Sequence, residues 1–244
     1  MFKRRCFLLL ATLAAALTTL VPAATAGAAT PDPERNSTKP ARWHYYYGVT
    51  PGRLKALAKS AGDRIIDLEV ERTGPTKLAA ALVRNSGPYA RGWYWYYGKT
   101  ADQIADLLDQ KNARLIDLDP YVLNGKRVFA AVMVKNTGDA AKNWHWYHGI
   151  SFARVKELIK EHKSRLIDLE TYQQGGKKRF AVVMIRNSGV DASAWWWWVN
   201  VPLSTVKASA SNNGARTFSL DRLSNGNYNA LQIKRKGEFS AYEI

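Results

Sequence analysis

The hydrophobic pattern of this chain changes period three times and then starts again. From position 43 an aromatic run bounded by glycine, Trp43-His-Tyr-Tyr-Tyr-Gly48, reads as a strand. Thr50 follows as a helix N-cap, ahead of Leu54, Leu57 and Ala58 at the i, i+3, i+4 spacing of one buried helical face. Arg64-Ile-Ile-Asp-Leu68 then reads as a second strand. The same succession returns three times. Its hexads are Trp93-Tyr-Trp-Tyr-Tyr-Gly98, Trp144-His-Trp-Tyr-His-Gly149 and Trp195-Trp-Trp-Trp-Val-Asn200, spaced 50 or 51 residues apart. Thr100 and Ser151 repeat the cap, and Thr100 with Gln103 forms a capping box. Apolar stripes follow at Ile104, Leu107, Leu108 and at Val155, Leu158, Ile159. Arg114-Leu-Ile-Asp-Leu118, Arg165-Leu-Ile-Asp-Leu169 and Arg216-Thr-Phe-Ser-Leu220 repeat the second strand. Asn124-Gly125 and Gly175-Gly176 are hairpin turns, and Val128–Val134 and Phe180–Ile185 are third strands. Arg84-Asn85-Ser-Gly87, Lys135-Asn136-Thr-Gly138 and Arg186-Asn187-Ser-Gly189 close the first three copies.

Each unit is therefore predicted as β-α-β-β, and the fold class as α+β. The units are residues 43–92, 93–143, 144–194 and a degenerate 195–244. About fifty residues bury too little surface to fold alone, so neighbours are expected to share a core. The alternative is a propeller-like ring, whose blades have a similar period; the capped helix in each unit opposes it. In the fourth unit Ser209 replaces the central helical leucine, Ser211-Asn-Asn-Gly214 is expected to end the helix early, and Ser219 replaces the strand aspartate.

Ahead of the repeats, Lys3, Arg4 and Arg5 precede an apolar run from Cys6 to Val21 and small residues around Ala26 and Ala28. This is the pattern of a signal peptide over residues 1–28, cleaved near Ala26 or Ala28, and it predicts a secreted protein. The run is short of the roughly 20 apolar residues of a membrane span. General secretion is the expected route, although Arg4-Arg5 also resembles a twin-arginine signal. Residues 29–42, with Pro31, Pro33 and Pro40, read as a linker. Composition adds a net charge of +16 and a single cysteine, Cys6, which excludes a disulfide framework and a cysteine zinc site.

Three segments carry a resemblance. Trp93-x-Trp-Tyr-Tyr-Gly-Lys-Thr-Ala-Asp-Gln103, Arg114-Leu-Ile-Asp-Leu-Asp-x-Tyr121 and Phe129-Ala-Ala-Val-Met-Val-Lys-Asn-x-Gly138 resemble the bacterial tandem repeat domain, also found as the N-terminal region of polyglycine hydrolases. The resemblance covers residues 43 to 244, strongly in units two and three and weakly in unit four. It implies an extracellular β/α repeat domain packed as open half-barrels. In polyglycine hydrolases a serine β-lactamase-like domain follows and cleaves the peptide; nothing in this chain is long enough to be that domain. The resemblance implies a scaffold rather than a reaction.

Candidate chemistry is weighed against the repeats. Ser204-x-x-Lys207 matches a β-lactamase signature but lacks its Lys-Thr-Gly companion. The carboxylate pairs Asp67/Glu69, Asp117/Asp119 and Asp168/Glu170 recur three times, whereas a glycosidase needs one pair. Arg64, Asp67, Arg114, Asp117, Arg165, Asp168 and Arg216 are read instead as structural, each aspartate bonding a basic or indole group of the following unit. The histidines His44, His145, His148 and His162 show no metal-ligand spacing, so no metal or other cofactor is expected. All nine tryptophans lie in the four hexads. Alternation puts one ring face into the shared core. The other, His44, Tyr46, Tyr94, Tyr96, His145, Tyr147, Trp196 and Trp198, is the candidate ligand surface if open, and simple packing if helices cover it. The reading is a noncatalytic secreted module binding an extracellular polysaccharide or peptide. The alternative is a hydrolase or an accessory subunit of one. Nucleic acid ranks behind both, because no recognition helix is visible, and the sequence leaves the oligomeric state open.

Overall fold

The structure, a computed structural model, describes residues 42–87, 90–138 and 141–234. The expected signal peptide and all but the last residue of the expected linker lie outside the described residues. The first unit consists of β1 (Trp43–Val49), α1 (Pro51–Ala61), β2 (Asp63–Thr73) and β3 (Thr76–Arg84). The second consists of β4 (Trp93–Lys99), α2 (Ala101–Lys111), β5 (Ala113–Leu123) and β6 (Lys126–Lys135). The third contains β7 (Trp144–Ile150), α3 (Phe152–Glu161), β8 (Ser164–Gln174) and β9 (Lys177–Arg186). The fourth contains β10 (Trp195–Val201), α4 (Leu203–Asn212), β11 (Ala215–Arg222) and β12 (Tyr228–Lys234). Each unit forms its own antiparallel sheet in the order hexad strand, third strand, second strand, as in β4-β6-β5. These are three-stranded open sheets with one helix each, not the four-stranded blades of a propeller.

Local chemistry sets the boundaries. Thr50, Thr100 and Ser151 are extended N-caps whose hydroxyls accept from Arg53, Gln103 and Arg154 N–H groups at 3.2, 3.3 and 3.2 Å. The capping box is completed by the Gln103 side chain accepting from Thr100 N–H. Each hexad strand breaks register after its fourth ring, and the following residue in the left-handed region is Gly48, Gly98, Gly149 or Asn200, with φ of 62, 67, 68 and 59°. The worn hexad thus keeps its bend through asparagine, which tolerates that conformation. One expectation fails here: α4 spans ten residues, the same as α3, so Ser211-Asn-Asn-Gly214 does not shorten it.

The cores lie between units. Leu54 and Ala58 of α1 and Ile65, Leu68, Leu78, Ala80 and Leu82 of the first sheet pack with Ile116, Ala130, Val132 and Val134 of the second. The other face of the second sheet, with Ile104 and Leu108 of α2, packs with Ile167, Ala181, Val183 and Ile185 of the third. The third does the same with Phe218, Leu231 and Ile233 of the fourth. Each inner sheet is therefore buried on both faces, once by its own helix and once by the preceding unit.

The fourth unit carries polar chemistry in its core. Gln232 occupies the place of Leu82, Met133 and Met184 and is fully buried. Its amide oxygen accepts from Ser209 Oγ at 2.7 Å and Trp198 Nε1 at 3.2 Å, and its nitrogen donates to the Val206 carbonyl at 2.8 Å and Thr217 Oγ1 at 3.0 Å. A buried amide satisfied on every side thus stands where the other units carry an apolar side chain.

Candidate functional site

The strand carboxylates have a structural task that follows from sheet order. Because β2 and β5 are outer strands, alternate main-chain N–H groups on them point away from the sheet. The next unit satisfies them: Asp117 Oδ2 accepts from Leu68 N–H and Asp119 Oδ2 from Val70 N–H, both at 3.0 Å. Asp168 Oδ2 accepts from Leu118 N–H, again at 3.0 Å. The i, i+2 spacing of the carboxylates matches the two-residue period of outward N–H groups on the facing edge. Glu170 would meet position 120, which is Pro120 and has no N–H to give.

This corrects the expected direction. Asp117 and Asp168 each reach back to a main-chain N–H of the preceding unit. The fourth unit, with Ser219 in place of the aspartate, is tied back by Asn229 Nδ2 donating to Thr171 Oγ1 at 3.1 Å.

The arginines lie in the same layer. Arg165 donates to the Asp191 carbonyl at 2.7 Å and to Asn187 Oδ1 at 3.3 Å, within its own unit. Arg64 and Arg114 are 6% and 4% exposed. Burial and the nearby Arg91 bring Arg64 down to about 10. Burial, with Arg64 and Arg91 adding to it, does the same to Arg114, against a smaller opposing effect of Asp191. Guanidinium groups of successive units thus sit in one another's field. Asp67 occupies the corresponding place in the first unit and is buried, and Arg216 is part-buried on β11.

Two recurring devices were missed by sequence reasoning although their signals recur. Tyr172 Oη accepts from Gly149 N–H at 2.7 Å, and Tyr121 serves Gly98 likewise. Glu71 and Asn229 do so for Gly48 and Asn200 at 2.6 and 3.1 Å. The Asp-x-Asp-x-Tyr spacing was the visible trace of this brace. The Asn-x-Gly closures are brackets: Asn85, Asn136 and Asn187 each exchange two hydrogen bonds with the main chain six residues on, at Arg91, Lys142 and Ser193.

The hexad rings divide by face. Trp93 and Trp95 pack on the core of the first unit, Trp144 and Trp146 on that of the second, and Trp195 and Trp197 on that of the third. In the first unit, the first among the described residues, the same positions are open: Trp43, Tyr45 and Tyr47 are 50, 40 and 73% exposed. The candidate ligand face lies on the helix side. Tyr46, Tyr94, Tyr96, Tyr147 and Trp198 are half-buried against their own unit's core, and Trp196 is half-buried on β10. His44 stacks on Tyr46 at 5.9 Å and bonds Asp63 through Nδ1 at 2.6 Å. Tyr94 lies under Lys111, 5.4 Å from the ring centre. His145 stacks on His162. The face is neither fully open nor sealed, every one of its residues being half-buried.

Ser204 and Lys207 are both exposed on α4. Among the described residues no group of three or more His, Cys, Asp or Glu side chains is placed to hold a metal ion. No described helix is long and apolar enough to cross a membrane.

This is a tandem array of β-α-β-β units whose cores are shared and whose sheet edges are capped by a neighbour's carboxylates. Two of those units have a known kind: residues 90–136 and 141–187 match the polyglycine hydrolase-like structural repeat. No curated protein matches the chain.

Proposed function

We infer that the array is a noncatalytic secreted module that binds an extended extracellular polymer, polysaccharide or polypeptide, along its aromatic strands. The observation that carries this reading is the position of the hexads. In all four sheets the hexad is an outer strand, so one row of its main-chain groups points away from the sheet. Trp43, Tyr45, Tyr47 and Tyr97 are the large side chains most open there, at 50, 40, 73 and 39%. An outer strand accepts an extended peptide by strand addition, and rings with polar tips stack on sugars. The leader pattern of residues 1–28 supports an extracellular setting.

The test is retention on insoluble peptidoglycan, chitin and immobilised glycine-rich peptide, comparing the full chain with Tyr47→Ala, Tyr96→Ala and Tyr147→Ala. Retention on one matrix should fall at least about tenfold in two of the variants, the loss of one to two ring stacks, with circular dichroism unchanged. Equal retention of folded wild type and variants, or no retention at all, removes the proposal. The match of two units to a polyglycine hydrolase-like repeat favours a second reading, an accessory part of a secreted hydrolase. Glycine-rich peptide as the retaining matrix would point that way.

A further inference from the structure

Of four histidines in the chain, two lie face to face in the third unit. His145 on β7 and His162 have ring centres 3.7 Å apart and planes 18° apart. His162 is the residue that closes α3, and its N–H donates to the Leu158 carbonyl at 2.9 Å. Tyr147, two residues along the same face of β7, completes the stack: its ring centre is 5.9 Å from that of His162, and its Oη is 2.7 Å from His162 Nε2. The end of the helix is thus joined to the aromatic strand by three flat rings. Other units make this junction differently. His44 turns to Asp63, and Tyr94 meets the Lys111 ammonium.

The charge states this stack tolerates follow from its geometry. With both imidazoles neutral, or with one proton shared toward Tyr147, the rings remain attractive. His162 stands at the C-terminal end of α3, and its Nε2 and the Tyr147 hydroxyl lie within hydrogen-bond distance. A second proton puts two like charges 3.7 Å apart in a half-buried place. The charged groups around them are Glu161 and Arg154 of α3. Arg154 is held by Glu157 and Glu161 at 3.2 and 3.3 Å, so Glu161 is already engaged. Burial, then His162, lower the pKa of His145 below 6.5, against a smaller pull from Glu161. The folded state therefore binds a proton at His145 less readily than the unfolded state. The stability this group contributes is complete above pH 6.5 and is lost as pH falls below it.

We propose that the His145–His162 stack is a proton-sensitive latch, which holds the end of α3 on β7 while at least one ring is neutral and releases it when both are charged. Tyr147 is also a candidate ligand ring, so release would reorient part of the proposed binding face. That consequence rests on the binding reading; the latch is testable without any ligand.

The experiment is an NMR titration of the histidines in the full chain with amide hydrogen exchange from pH 7.5 to 4.5. The wild type is compared with His145→Tyr, which installs the residue the second unit uses at this place. His145 should titrate below 6.5. Protection of the last turn of α3, after correction for intrinsic exchange, should fall as the pH drops below 6.5. In His145→Tyr that fall should be absent while the helices of the other units behave as in wild type. An equal fall in the variant, no fall in the wild type, or His145 titrating at or above 6.5 overturns the latch.

Discussion

At the residue scale the most informative side chains are the carboxylates, because a charged group placed on a main-chain donor does what no apolar residue can. Asp117 is 2% exposed and Leu68 N–H points at it. Truncation to alanine leaves that buried donor with no acceptor, a loss of about 1–3 kcal/mol. Asp117→Asn keeps an acceptor oxygen and should lose clearly less. Urea denaturation of the two variants measures the difference; unfolding midpoints for Asp117→Ala equal to wild type would show that the bond contributes nothing. The existence of these pairs was legible in the sequence, since three copies of Asp-x-Asp/Glu cannot be three active sites. Their partners were not legible. A main-chain N–H leaves no mark in a sequence, and only the sheet order reveals that β2 and β5 have an open side.

At the scale of elements, hexad strand, capped helix, second strand and hairpin were all readable, because each has its own period or its own cap. The direction of the ring faces was not. Alternation fixes that Tyr94 and Tyr96 share one side and Trp93 and Trp95 the other, but the helix lies on the first side and the preceding unit on the second. Which neighbour covers which side is a packing outcome. The fourth unit shows how an element accommodates a polar residue at a core position. Gln232→Leu would restore the residue type of Leu82, yet it would strand Ser209 Oγ–H, Trp198 Nε1–H and the Val206 carbonyl. The expected effect is destabilisation by about 1–3 kcal/mol. The comparable change in the third unit, Met184→Leu, is a near-isosteric swap between apolar neighbours and should cost less than about 1.5 kcal/mol. Thermal unfolding of both variants checks the contrast, and a stabilising Gln232→Leu would show that the polar network is incidental.

At the scale of the molecule, the arrangement makes each unit half of two cores. Cutting out residues 93–143 would expose Trp93, Trp95, Ile116, Val132 and Val134, which pack on the first unit. On its other side the fragment would lose Ile167, Ala181, Val183 and Ile185 from the third. Asp117 and Asp119 would also lose the Leu68 and Val70 N–H groups, and Leu118 N–H would lose Asp168. A chain of about fifty residues has little stability to spare, and both its faces and its outer strand would be stripped together. The fragment should therefore show no cooperative calorimetric transition as a monomer, while the full chain melts cooperatively. The binding proposal depends on the same arrangement. Tryptophans required to hold neighbouring units together leave only the rim rings and the open strip at Trp43, Tyr45 and Tyr47 for a ligand. A fragment that folded alone would free those tryptophans from structural duty and open both faces of every hexad to binding.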